Sequence, residues 1–209
     1  MILGISASGR KDGVTAAAVQ AVLEASQLKY QYVSLAGKKI NGCTGCTLCA
    51  GDNCCIEADD WNEIGELMKQ ADAIVFGAPN YFGRMNALGH ACWERTFCFR
   101  HREIFDLAGK LGVTVSVEFE GANPVQPEIE HYMKWNYIVP VASVSACGHG
   151  QCYTCGYGHD CAVGKVFRDH GFLKEISPAQ FPPHFNEQPL PKLEAYRAGK
   201  ILGSILRNR

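Results

Sequence analysis

The stretch Ala73-Ile-Val-Phe-Gly-Ala78 runs without a polar side chain between Asp72 and Pro79, and it limits the folds open to the chain. A run this short and this apolar fits a strand buried on both faces, not one that alternates between core and water. Such a strand needs helices above and below it, which predicts an α/β protein with a parallel sheet. The same rhythm recurs along the sequence. Met1–Ser6, residues 30–35, Leu111–Val117 and Ile138–Val144 read as further strands. Between them Val14–Ser26 carries Val19, Val22 and Leu23 on one helical stripe, and Asp60-x-x-Glu63 resembles a capping box before Ile64, Leu67, Met68 and Ala71. Ala87–Phe105 reads as one long helix and Glu128–Trp135 as a shorter one. Five strands, with no G-x-G-x-x-G after the first, favour a doubly wound sheet of order 2-1-3-4-5. Residues 1–176 then form one sheet domain. Ser177–Pro191 holds five of the nine prolines and reads as an extended arm, so residues 177–209 are that arm plus a terminal helix packing through Leu193, Tyr196, Ile201 and Ile205.

Twenty Lys and Arg against 21 Asp and Glu leave no field that would attract nucleic acid or an anionic membrane. No apolar run reaches the ~18 residues of a membrane span. Met1-Ile-Leu-Gly-Ile leads straight into a strand-like run, with no signal peptide before it, so a cytoplasmic protein is expected.

Eleven cysteines are many for a reducing compartment, and an odd number cannot all pair. Five fall in the loop at 40–55 and four in the loop at 147–161. Cys43, Cys46, Cys49 and Cys54 have the spacing C-x2-C-x2-C-x4-C, with Cys55 directly behind. Thiolates suit zinc, cuprous copper or iron–sulfur clusters, and a C-x2-C-x2-C run is typical of bacterial 4Fe–4S sites. Zinc more often takes two separated C-x2-C pairs, and redox thiols are a third reading. The second loop places Cys147, Cys152, Cys155 and Cys161 among glycines, with His149 and His159 nearby; a second cluster, a zinc site and free thiols are all open there. In the order 2-1-3-4-5 the two loops leave opposite edges of the sheet, about 19 Å apart at ~4.8 Å per strand step. Cys92 and Cys98 read as small core residues, and His90, His101 and His131 as surface or core histidines.

In this order the turn after strand 1 lies beside the loop after strand 3, and a ligand crevice opens between them. Ser6, Ser8, Arg10, Gly13, Val14 and Thr15 occupy the first turn, where a helix start offers free N–H groups to a phosphate. The same residues would also serve an ordinary capped helix. Gly4-x4-Gly9 imitates a nucleotide-hydrolysing loop, but Arg10-Lys11 replaces the Lys-Ser/Thr such a loop needs. Pro79-Asn80-Tyr81-Phe82-Gly83 brings aromatic surface and a close backbone approach to the other side of the crevice.

The chain resembles the iron–sulfur flavoproteins within the NADPH-dependent FMN reductase branch of flavodoxin-like proteins. The resemblance rests on Ile5–Thr15, on Ile40–Cys49 with Cys54 and Asp59-Asp60, on Ala71–Gly83, and on Glu94-Arg95 where an Asp-Arg pair is frequent. It implies FMN with its phosphate on the first turn (Ser6, Ser8, Arg10, Gly13, Val14, Thr15). The ring would lie against Pro79, Asn80, Tyr81, Phe82 and Gly83 and the loop after strand 4, near Glu118 and Gly121. It also implies a 4Fe–4S cluster on Cys43, Cys46, Cys49 and Cys54, a homodimer or homotetramer, and electron transfer from a ferredoxin-like donor or NAD(P)H to a small-molecule acceptor. Asn80 stands where an aliphatic residue is usual and Val14 where Asn is common, while Cys55 leaves the fourth ligand open between Cys54 and Cys55. The expected function is an FMN-dependent oxidoreductase in which no protein acid, base or nucleophile is required. The alternatives are a cluster-free NAD(P)H-dependent FMN or quinone reductase and a non-enzymatic electron carrier.

Overall fold

A computed structural model describes residues 1–119 and 123–209. Its centre is a parallel sheet in the order β2-β1-β3-β5-β6, built from β1 (Ile2–Ser6), β2 (Tyr30–Ser34), β3 (Ala73–Tyr81), β5 (Leu111–Glu118) and β6 (Val139–Cys147). This is the expected 2-1-3-4-5 arrangement, with one short extra strand, β4 (Arg84–Met85), folded back on β3. Alternate side chains of each strand feed opposite cores. Leu3, Ile5, Ile74 and Phe76 face α2 (Trp61–Gln70), α3 (Ala87–Glu94) and α4 (Val125–Trp135). Ile2, Ala73, Val75, Val113 and Val115 face α1 (Val14–Ser26) and α6 (Pro189–Arg207). Because β3 is apolar on both sides it satisfies both cores, which is why its sequence carries no alternation.

The loop after β1 enters α1 on one face of the sheet, while the chain after β3 enters α3 on the other. The two connections diverge and leave a crevice at the carboxyl ends of β1 and β3.

Four local expectations are corrected. The long helix predicted over residues 87–105 is α3 followed by a 3-10 segment, Arg95–Phe99, and irregular chain. The capping box at α2 does not form: Asp60 accepts the Lys39 N–H at 2.6 Å, and Asp59 caps the helix by accepting the Trp61 N–H at 3.0 Å. The loop drawn after residue 78 continues as strand through Tyr81 and turns back as a hairpin.

The fourth correction concerns the tail. Leu193, Tyr196 and Ile201 face outward, Ile205 packs against the core as expected, and α6 otherwise packs through Ala195, Ala198, Gly199, Leu202 and Gly203. A Cβ on Gly199 would meet the Val22 carbonyl and Ala25 of α1, and one on Gly203 would meet the Ser26 carbonyl. The two helices approach backbone to backbone, which only a small-residue face allows. The Pro-rich arm therefore leads into a helix that completes one core of the sheet. Gly199→Leu should cost about 1–3 kcal/mol through overpacking at this contact, whereas Tyr196→Ala on the outer face should stay within about 0.5 kcal/mol. Urea denaturation of both variants measures the difference.

Candidate functional site

A cavity of about 550 Å3 fills the crevice. One wall is the first turn: Ser8, Arg10, Gly13, Val14 and Thr15. Gly13 is the extended N-cap of α1 and supplies no side-chain cap, so the first helical N–H groups lack an intrahelical partner where Gly13, Val14 and Thr15 line the cavity. The Ser8 hydroxyl accepts the Arg10 N–H at 3.1 Å, which curls the turn.

The opposite wall is the β3–β4 hairpin, Pro79 to Gly83. Its two turn residues, Phe82 and Gly83, both have positive φ, 54° and 77°. That is the pattern of a type I′ turn, where glycine is at ease and phenylalanine is strained by roughly 1–2 kcal/mol. Phe82 is fully exposed. The chain thus holds an unpacked aromatic ring at the cavity rim in a disfavoured conformation, a combination that marks ligand clamps. Asn80 Oδ1 accepts the Gly83 N–H at 2.8 Å, the Met85 N–H reaches Glu128 at 2.7 Å, and Asn86 donates to the Ala7 carbonyl at 2.6 Å. These bonds fix the hairpin to α4 and to the first turn.

The third wall has two parts. The end of β5, Val117 to Phe119, lines the cavity where the resemblance put it, around Glu118. The second cysteine loop, Gly148 to Cys152, with Val163, Lys165 and Arg168 beyond it, was not visible in the sequence as part of this site. Arg10 crosses to this wall, 2.7 Å from His149 Nε2 and 3.3 Å from Thr154 Oγ1. Burial, with Arg10 and His184 nearby, holds His149 below the usual imidazole range, so a neutral ring meets the guanidinium. Ser6 is fully buried in β1 and off the cavity lining. Gly121 lies outside the described residues.

A second, small cavity of about 110 Å3 lies in the first cysteine loop. Cys43, Cys46, Cys49 and Cys55 line it, together with Cys98, Phe97, Glu57 and Arg95. Cys54 does not: it is exposed, with its N–H held by Asp52 at 2.9 Å. Cys55 is turned inward because Arg95 Nε donates to its sulfur at 3.2 Å. The same guanidinium binds Asp59 Oδ2 at 2.7 Å, the Asn41 and Glu57 carbonyls and Asn62 Oδ1, each at 3.2 Å, and lies over the Trp61 ring. Arg95 is 1% exposed and its partner Asp59 carboxylate 5%. Burial would raise Asp59, but the Asn41 N–H, the Arg95 guanidinium and the Trp61 N–H outweigh it and hold the carboxyl below the usual range.

The Cys49 sulfur also stands 3.1 Å from a ring nitrogen of His101. His101 and Cys98 sit some fifty residues downstream, and nothing in their local sequence connects them to the cysteine run. Burial pushes the Cys92 and Cys98 thiols up to about 12, as befits core residues.

Among the described residues no three His, Cys, Asp or Glu side chains gather as ligands of a single metal ion would. A cluster is larger than an ion and spreads its thiolates around itself, so the four soft donors lining one cavity suit it better than zinc. The second loop differs. Of Cys147, Cys152, Cys155 and Cys161, only Cys152 lines the crevice cavity, and none lines the sulfur cavity of the first loop.

Comparison with known proteins gives a consistent picture. The family described as NADPH-dependent FMN reductase matches residues 1–151. An iron-sulfur flavoprotein of Methanocaldococcus jannaschii is 36% identical over 56% of this chain and 61% of its own length. An iron-sulfur flavoprotein of Methanosarcina thermophila is 30% identical over 78% of this chain and 86% of its own. The chain thus spans about three-fifths of the first relative's length and most of the second's. A WrbA-like flavodoxin from Agrobacterium tumefaciens superposes with a TM-score of 0.56 at 11% identity, covering 99% of this chain and 97% of that one, a likeness of fold.

Removing Arg95 leaves Asp59 as an unpaired buried charge, so Arg95→Gln should destabilise the chain by about 3–5 kcal/mol. Asp59 contributes stability above the ordinary carboxylate range and loses it as pH falls through its lowered folded value. Arg95→Gln removes a bond that lowers that value, so its acid unfolding should begin at higher pH than in the wild type. Circular dichroism across an acid titration measures this.

Proposed function

The chain belongs to the NADPH-dependent FMN reductase family of flavodoxin-like proteins, and from that premise we propose that it is an FMN-dependent oxidoreductase that also carries a 4Fe–4S cluster. The observation that carries the flavin is the uncapped α1 N-terminus opening on a cavity with aromatic surface at its rim. The residues fit the group. The first-turn N–H groups, Ser8 and Thr15 take the phosphate, with the helix dipole favouring its charge. Tyr81 and Phe82 offer flat surface to a flat ring, and the hairpin holds them in place. Arg10, tied to His149 and Thr154, braces the second loop over the phosphate end and narrows the access of water. Bound there, FMN supplies the exchange of one or two electrons that couples single-electron carriers to two-electron acceptors.

For the cluster, the supporting observation is the sulfur-lined cavity, and we take Cys43, Cys46, Cys49 and Cys55 as its ligands. The spacing and the resemblance had put Cys54 fourth with Cys55 as the alternative, and the outward position of Cys54 favours Cys55. The Arg95 N–H aimed at Cys55 is the kind of bond that sets a cluster's potential. For the second loop we propose a wall of the flavin cavity and not a metal site. The names of the relatives support the pairing of cluster and flavin. We further propose a ferredoxin-like protein or NAD(P)H as donor, a small molecule as acceptor, and a homo-oligomer. Among the described residues no helix is long and apolar enough to cross a membrane.

The test is anaerobic reconstitution with iron, sulfide and FMN, followed by visible and EPR spectra. Cys55→Ser should abolish the EPR signal of the reduced cluster and leave bound flavin unchanged. Cys54→Ser should retain both. Loss of the cluster in Cys54→Ser with retention in Cys55→Ser would reverse the ligand assignment, and a wild-type spectrum of flavin alone would favour the cluster-free reductase.

A further inference from the structure

One polar group of the crevice is used by none of the contacts above. Glu118 ends β5 against the cavity and is 7% exposed. Its Oε2 accepts from Asn80 Nδ2 at 2.6 Å. The Asn80 orientation is fixed, because its own Oδ1 is taken by the Gly83 N–H. Oε1 has no hydrogen-bond partner among the described residues. A buried carboxylate oxygen without a donor is costly, and a protonated one is less so. Burial accordingly pushes the Glu118 carboxyl above its usual range, against the pull of Asn80 and of the Val125 N–H at the start of α4.

The other charged and titratable groups facing this space have other roles. Arg10 meets His149, whose ring is held neutral. Lys165 pairs with Asp169. Arg168, Tyr81 and Cys152 complete the lining, and Cys147 of β6 lies in register beside Glu118. On α4, Glu128 is engaged by Arg84 and the Met85 N–H. Among the described residues Glu118 is the one carboxyl in the lining, and its unpartnered Oε1 is buried.

We propose that Glu118, held in place by Asn80, is the proton-coupled group of the flavin cavity: it takes up a proton when the bound ring is reduced. The inference rests on the reading that this cavity binds FMN. When a reductant supplies two electrons, the negative charge placed beside Glu118 raises the affinity of its carboxylate for a proton. The carboxylate takes that proton from water at the cavity mouth and forms its O–H bond.

The test is spectroelectrochemical titration of the FMN-loaded protein, with dithionite as reductant, over a range of pH. In the wild type the flavin midpoint potential should fall more steeply with pH between the pKa of Glu118 beside the oxidised ring and its higher pKa beside the reduced ring. Glu118→Gln should bind FMN and lose the steep segment. Asn80→Leu removes a bond that favours the ionised form, so it should move that segment to higher pH. If Glu118→Gln does not fold, the reduced-minus-oxidised infrared spectrum of the wild type decides, because the protonated-carboxyl band should grow on reduction. A Glu118→Gln plot that superimposes on the wild type, or an infrared spectrum without that band, overturns the inference while leaving the flavin reading intact. A wild-type protein that takes up no FMN overturns both.

Discussion

The uncapped first turn of α1 is where architecture and chemistry meet. A parallel sheet brings every strand end to one edge, and the crossover after β1 leaves by one face while the chain after β3 leaves by the other. The helix that follows β1 begins at the resulting gap with its N–H groups unsatisfied. An anion supplies what those groups lack, and without one the helix start stays an open demand for hydrogen bonds. The rest of the site is arranged around that demand. The hairpin Pro79–Met85 brings a strained, exposed phenylalanine to the rim, and the second cysteine loop closes over from β6 through Arg10 and His149.

The sheet and its order were legible in the sequence because they follow from burial. Residues 73–78 admit no solvent on either side, and the helices around them carry clean apolar stripes. The first turn and the Pro79–Gly83 loop were legible for the same reason, since topology places them together once the strand order is known. What stayed hidden depends on backbone approach or on distant partners. The packing face of α6 is marked largely by glycine and alanine, whereas the sequence draws attention to Leu193, Tyr196 and Ile201, which point to water. Position 55 displaces position 54 in the sulfur cavity because of Arg95, forty residues away. The second-loop part of the third wall arises because residues 148–152 fold back over Arg10, a contact that no local pattern announces.

The two cysteine loops, similar in composition, have different roles in the fold. The first is clamped by one buried guanidinium that gathers Asp59, Asn62, the Asn41 and Glu57 carbonyls and Cys55. Its sulfurs converge because the loop is held from behind. The second contributes only Cys152 to the lining of the crevice, and no buried guanidinium gathers it among the described residues. Clustering of cysteine in sequence therefore marks a candidate, and convergence around a shared space decides between ligands and lining.

The central claim is that the crevice binds a phosphorylated flavin through the α1 N-terminus. Titration of the deflavinated protein with FMN and with riboflavin, followed by quenching of flavin fluorescence, tests it most directly. The two ligands present the same ring and differ in the phosphate. Saturable binding of one FMN per chain, with riboflavin bound at least tenfold more weakly (about 1.4 kcal/mol or more), is the predicted result. Equal affinity for the two, or no saturable binding of FMN, would contradict the account.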